Sequence, residues 1–231
     1  MKSVLSLFLG FCLISLNLSL FSYEKIENSI PLDFSDVEGF PGNWSLCPES
    51  IYLSLKHVRY RDKLRILEFG AGEGTRQLVQ LLSKKNIPFE YHTFENDFRF
   101  LYNLDKVVTH YYYLPDVKIN QSYIWDPLLK NYTLSDLPEF DLIIIDGPHG
   151  LARRRWYEKF KKFSKKDTII LIDDFHHFKE FGEELDRNFH YSTINEFNLN
   201  PTWPLINQGL EIMNPPYPTK TFKIVKVINT I

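Results

Sequence analysis

The chain has 231 residues, 44% of them hydrophobic and 24% charged, which is enough for one sizeable core and excludes a disordered chain. Its formal net charge of −2 leaves no overall basic footprint, so no nucleic-acid partner is expected. With only Cys12 and Cys47, the first in an N-terminal apolar run, the body has no intrachain disulfide and no cysteine-built metal site.

Lys2 precedes an apolar run over residues 4–21 that carries no charge, and charges resume at Glu24 and Lys25. Residues 1–22 read as a signal peptide or an N-terminal membrane anchor. Leu20 fits a small-x-small cleavage site poorly, and Phe11 weakens "LGFC" as a lipobox. The positive charge precedes the run, so the body is expected on the far side of the membrane. That means the secretory pathway, the periplasm or a membrane-anchored location. Asn43, Asn120 and Asn131 open triplets that are glycosylation candidates in a eukaryote. Residues 23–47, rich in Pro, Gly, Asp and Ser, form a lead-in to a domain over residues 48–231.

Strand and helix patterns alternate through that domain. "PESIYLSLKHV" starts a helix at Pro48, and "LRILEF" is a short buried strand. Leu78, Val79, Leu81 and Leu82 recur at helical spacing; "FEYHTF" is a strand; and Phe98, Leu101 and Leu104 mark a further helix. A third strand lies somewhere within residues 110–125. "DLIIID" is a β-branched run, as in a strand covered on both faces. Trp156, Phe160 and Phe163 share one helical stripe, "DTIILID" is another buried strand, and "FKEFGEELDRNF" is an amphipathic helix. The proline clusters between Tyr191 and Pro218 predict long loops, and "KTFKIVKVI" closes the chain as a strand. The alternation predicts an α/β, Rossmann-like fold: a mostly parallel sheet, helices on both faces and an antiparallel C-terminal strand.

A glycine loop, "EFGAGEGT", follows the first strand. Glycine lets a backbone approach a cofactor closely. The spacing Gly70, Gly72, Gly74 puts Thr75 where a dinucleotide site needs its third glycine, and no G-K-[ST] follows for a phosphate loop. Glu68, two residues before the first glycine, is unwelcome near a pyrophosphate and suits a cofactor with a cationic amino-acid end. Glu95, at the end of the second strand, is placed to accept hydrogen bonds from a ribose diol.

Glu68-Phe-Gly70-Ala-Gly72-Glu-Gly74 resembles the [DE]-x-G-x-G-x-G motif of class I S-adenosylmethionine-dependent methyltransferases, with Glu95 at the family's ribose-binding acid. The resemblance runs over residues 44–174. "WSLCPESIYLSL", "FDLIIIDGPHG" and "LIDD" are similar to the small-molecule and sugar O-methyltransferase branch, including glucuronoxylan methyltransferase-like proteins. It implies S-adenosyl-L-methionine as cofactor, bound by Glu68, Gly70, Gly72, Gly74, Thr75 and Glu95. The implied acceptor is a hydroxylated small molecule or carbohydrate.

Asp146 ends one buried strand and Asp173–Asp174 end the next, on the sheet edge where open α/β folds bind ligands. His149, His176 and His177 stand nearby in sequence. Two chemistries are open. Asp146 or His149 acts as the general base on the acceptor hydroxyl. Alternatively Asp146, Asp173 and Asp174 hold a divalent cation that lowers its pKa. The resemblance favours a site here, but metal-dependent relatives usually follow the second acid with Asn, where this chain has Asp174. Arg153–Arg155 read as a solvated helix face or as a contact for an acidic acceptor. The rival functions are a methyltransferase-fold binding protein without chemistry and a nucleotide-dependent oxidoreductase.

Overall fold

The apolar runs become neighbouring strands of one twisted sheet. In a computed structural model the structure describes residues 27–38, 46–95, 97–101, 108, 110–113, 117–119, 122–124, 137–147, 160–177, 180–198 and 221–231. The seven sheet strands are β1 (Leu64–Phe69), β2 (Phe89–Glu95), β3 (His110–Tyr113), β6 (Phe140–Ile145), β7 (Ser164–Asp173), β8 (Phe189–Asn198) and β9 (Thr221–Thr230), in the order β3-β2-β1-β6-β7-β9-β8. A separate antiparallel pair joins β4 (Val117–Ile119) to β5 (Ser122–Ile124). β3, β2, β1, β6 and β7 pair in parallel, while β9 runs antiparallel to both β7 and β8. β9 is therefore the one reversed strand of this sheet. The fold is an α/β, Rossmann-like one, with the reversed C-terminal strand that the sequence pattern predicts.

Alternation along each strand divides the core into two layers. On one face Leu64, Ile66, Leu142, Ile144, Ile169 and Leu171 meet α1 (Pro48–His57) and α2 (Glu73–Lys84) through Ile51, Leu55, Leu78 and Leu82. On the other face, Leu67, Phe69, Ile143, Ile145 and Ile170 pack with Phe160, Phe163 and two residues, Phe181 and Leu185, of α4 (Glu180–Asn188). Each such side chain contributes about 1.5–3 kcal/mol by leaving water. α2 ends where Asn86 adopts φ 54° and Ile87 N donates to Leu82 O, a left-handed cap that satisfies the last carbonyls. α3 (Phe98–Leu101) is the described part of the helix predicted after β2. Of the helix predicted around Trp156, only its end is described: Phe160 and the 3-10 turn Lys161–Phe163.

Two features differ from expectation. The stretch read as loop from Tyr191 begins inside β8, which pairs with β9 through two register shifts, at His190/Tyr191 and Thr193/Asn195. Such bulges break the alternation that marks a strand, which is why the pattern does not display it. The lead-in also packs: Ile30 and Val37 are buried in the first core layer, and Asn28 forms an antiparallel bridge with Tyr60. The N-terminal apolar run lies outside the described residues, and among these no helix is long and apolar enough to cross a membrane.

Candidate active site

Three strand ends are stitched together where β1 gives way to the glycine loop. Phe69 O accepts from Asp146 N at 2.8 Å and from Gly147 N at 2.5 Å, and Gly70 N donates to Phe94 O at 2.8 Å. Gly70 has φ +98°, and a Cβ there would stand 2.6 Å from Gly147 N. A Cβ on Gly147 would likewise stand 2.8 Å from Gly70 Cα. The two glycine backbones are therefore pressed together, and the Asp146 backbone is held against the loop.

The next two loop amides are also engaged from within. Ala71 N donates to Glu95 Oε2 at 2.7 Å, and Gly72 N donates to Thr75 Oγ1 at 2.9 Å. The Thr75 hydroxyl in turn donates to Glu68 Oε2 at 2.8 Å, and Thr93 Oγ1 donates to the same oxygen at 3.1 Å. Thr75 thus has a use at the position where a dinucleotide site needs glycine. A loop whose amides are spent internally, above a buried acid, is badly built for a pyrophosphate, which needs those donors.

Glu68 lies beneath the loop and is 1% exposed. Burial pushes its carboxyl up to about 8, against the hydrogen bonds from Thr75, Thr93 and Tyr91, while the Glu95 charge raises it further. The folded state therefore holds this proton more tightly than the unfolded state does. The contribution of Glu68 to stability is fullest below the ordinary carboxylate range near 4.5, falls as pH rises from there, and is lost above about 8. We expect Glu68→Gln to flatten that decline in urea-denaturation midpoints measured from pH 5 to 9. Parallel slopes in the two proteins would show that Glu68 is already ionised when buried.

β6 and β7 bring the second group of acids to the same edge. Their parallel register pairs Ile145 with Ile172, so one step further Asp146 stands beside Asp173. Alternation puts Ile144, Leu171 and Glu68 on the α1–α2 face, and Asp146 and Asp173 continue it. Two electrostatic effects agree with that placement: the Asp146 charge raises the Tyr91 phenol, and the Asp173 charge raises the Cys47 thiol at the start of α1. Burial is the larger cause in both cases.

Residues 67–175, from the middle of β1 to the end of β7, match a family model described as a methyltransferase domain. That match places a methyltransferase domain over residues 67–175 and supports S-adenosylmethionine-dependent methyl transfer. No curated protein matches it. Among solved structures, a Klebsiella pneumoniae protein assigned as an O-methyltransferase superposes with a TM-score of 0.50 at 17% identity, over 86% of this chain and 92% of that one. The precorrin-6y C5,15-methyltransferase of Geobacter metallireducens GS-15 gives 0.47 at 16% identity, over 80% and 91%. The plantazolicin methyltransferase BpumL, in complex with SAH, gives 0.41 at 13% identity, over 72% and 76%. At these identities the likeness is one of fold.

Within this domain, Gly74 is buried in the first turn of α2, and Glu95 is 4% exposed, with Oε1 accepting from Asp97 N at 2.7 Å. Asp174 adopts φ 54° and turns the chain into the 3-10 segment Phe175–His177. His176 pairs through Nε2 with Glu196 at 3.1 Å. Among the described residues no three His, Cys, Asp or Glu side chains converge as a metal ion requires. Trp44, His149 and Arg153–Arg155 lie outside the described residues, as does the side chain of His177. Sequence reasoning missed Thr93 and Tyr91. Their signal is the run Tyr91, Thr93, Glu95, which sets polar groups at alternate positions of an otherwise buried strand.

Proposed function

We propose that the methyltransferase moves the methyl group of S-adenosyl-L-methionine to a hydroxyl oxygen of a small molecule or carbohydrate. The observation that carries this reading is the seating of Asp146 on Gly70. It sets a carboxylate-bearing strand end directly against the loop that approaches the methyl donor. In the reaction the acceptor oxygen attacks the methyl carbon and the carbon–sulfur bond breaks with its electron pair going to sulfur. Asp146, with His149 as its partner or alternate, takes the hydroxyl proton. Glu95 receives the ribose diol, and Gly70, Gly72 and Gly74 let the cofactor lie close. Glu68 and Thr75 hold the loop from below. The glucuronoxylan methyltransferase-like resemblance supports the carbohydrate acceptor.

Calorimetry with S-adenosylmethionine, with and without Mg²⁺, tests the cofactor half of the proposal. We expect binding in both conditions, weakened about tenfold or more by Glu95→Gln, since hydrogen bonds to a charged group are worth about 1.5–3 kcal/mol. Binding of a nicotinamide dinucleotide instead would overturn the reading, and binding that requires Mg²⁺ would restore the cation. The proposal also assigns residues 1–22 to membrane targeting, with the domain on the far side. Detection of the domain in the cytosol of the native host would contradict that assignment.

A further inference from the structure

We propose that the sheet edge opposite the active site lies on an anionic membrane surface. This rests on the reading of residues 1–22 as a membrane anchor. The active edge is at the carboxyl ends of the parallel strands; the other edge is formed by the turns that lead into β1 and β2. The lead-in joins the fold at that second edge, where Asn28 N donates to Tyr60 O at 2.7 Å and Tyr60 N donates to Asn28 O at 3.2 Å. Residues 22–27 span at most about 20 Å when extended, at roughly 3.3–3.6 Å each. The apolar run is thus tethered close to Tyr60.

The surface around this tether is cationic. Lys56 and His57 end α1, Arg59 and Arg61 flank Tyr60, and all four are exposed. Lys63 and Arg65 follow, and they share Glu90 as their ion-pair partner. Among the described residues no carboxylate pairs with Lys56, Arg59 or Arg61. Asp62 and Glu27 are the exposed acids beside them in sequence. His57 senses the local excess: after burial, the charges of Arg59, Lys56 and Lys226 make it harder to protonate. A basic patch immediately beside an apolar anchor attracts acidic headgroups wherever the leaflet that faces the domain carries them, as a phosphatidylglycerol-containing leaflet does. A strand of six residues separates the two edges by about 20 Å, so the glycine loop and Asp146 face away from the bilayer, open to a soluble acceptor.

The test uses the full chain reconstituted into phosphatidylcholine vesicles and into mixed phosphatidylcholine–phosphatidylglycerol vesicles. Co-sedimentation reports anchoring, and acylation of Lys56 by an amine reagent reports contact. We expect co-sedimentation with both vesicles and slower acylation of Lys56 in the mixed ones, about fivefold or more. The double substitution Arg59→Glu and Arg61→Glu should remove the protection and leave S-adenosylmethionine binding unchanged. High salt should remove it as well. Equal acylation in both vesicles, with co-sedimentation intact, would overturn the proposed face and leave the anchor standing. Failure to co-sediment with either would overturn the anchor. Protection by a soluble sulfated polysaccharide or RNA, without protection by anionic vesicles, would reassign the patch to a polyanion.

Discussion

Asp146→Asn should lower kcat for methyl transfer by about 10²–10⁴-fold, the usual contribution of a positioned general base, while S-adenosylmethionine affinity stays within about twofold. The two effects separate because Asp146 uses different atoms for each. Its backbone N–H is bonded to Phe69 O and its strand end is pressed on Gly70, and neither depends on the side-chain oxygen being basic. Asn keeps the shape and the backbone bond but cannot take a proton. Single-turnover measurements at saturating cofactor isolate the chemical step from binding. If kcat survives, proton removal falls to His149 or to solvent, and His149→Ala becomes the decisive variant. Loss of cofactor binding together with kcat would mean that Asp146 shapes the loop and does not act on the acceptor. Asp173 supplies an internal comparison. It is 1% exposed, beside Asp146 and near Cys47, so Asp173→Asn should act mainly through the position of its neighbour.

The parts of the fold legible in sequence were those where local pattern and tertiary burial say the same thing. "LRILEF" and "DLIIID" are apolar throughout because helices cover the strands on both faces, and their predicted limits agree closely with β1 and β6. β8 was not legible because its two bulges and its position at the sheet edge leave half-exposed side chains without alternation. The packing of Ile30 and Val37 was hidden for another reason. Their burial comes from contacts with distant residues, and nothing in a Pro- and Asp-rich stretch announces those contacts. At the site, glycine spacing and strand-end acids were readable because chain geometry dictates where they fall. The use of the loop amides was not. That Thr75 serves Gly72 and Glu68, and that Glu95 serves Ala71, depends on side chains from three elements meeting. The same meeting gives the absent third glycine a positive reason: a glycine at position 75 would leave Gly72 N and Glu68 without the hydroxyl that joins them.

The glycines of the loop make opposite demands, and substituting each by alanine should separate fold from function. At Gly70 a new Cβ meets the backbone of Gly147, which cannot swing aside as a flexible side chain does, and φ +98° is strained for any L-residue. Left-handed strain of about 1–2 kcal/mol and overpacking of about 1–3 kcal/mol together predict a loss of about 2–5 kcal/mol for Gly70→Ala. For a chain of this size that lowers Tm by about 5–20 °C. Gly147→Ala should cost less, about 1–3 kcal/mol, since it meets the same contact without the left-handed strain, and the double substitution should fall short of the sum because that contact is shared. Gly72 is different. Its φ of 175° is open to any residue, and a Cβ there meets nothing within 4 Å among the described residues. Gly72→Ala should leave Tm within about 2 °C, since surface changes away from special features stay near 0.5 kcal/mol. Yet the space that its methyl enters is the space the loop keeps clear, and if the cofactor lies there, S-adenosylmethionine affinity falls about tenfold or more. A Gly72→Ala protein that is stable and binds the cofactor normally would place the cofactor elsewhere on the edge. One that is stable and fails to bind would show that this glycine is kept small for the ligand and not for the fold.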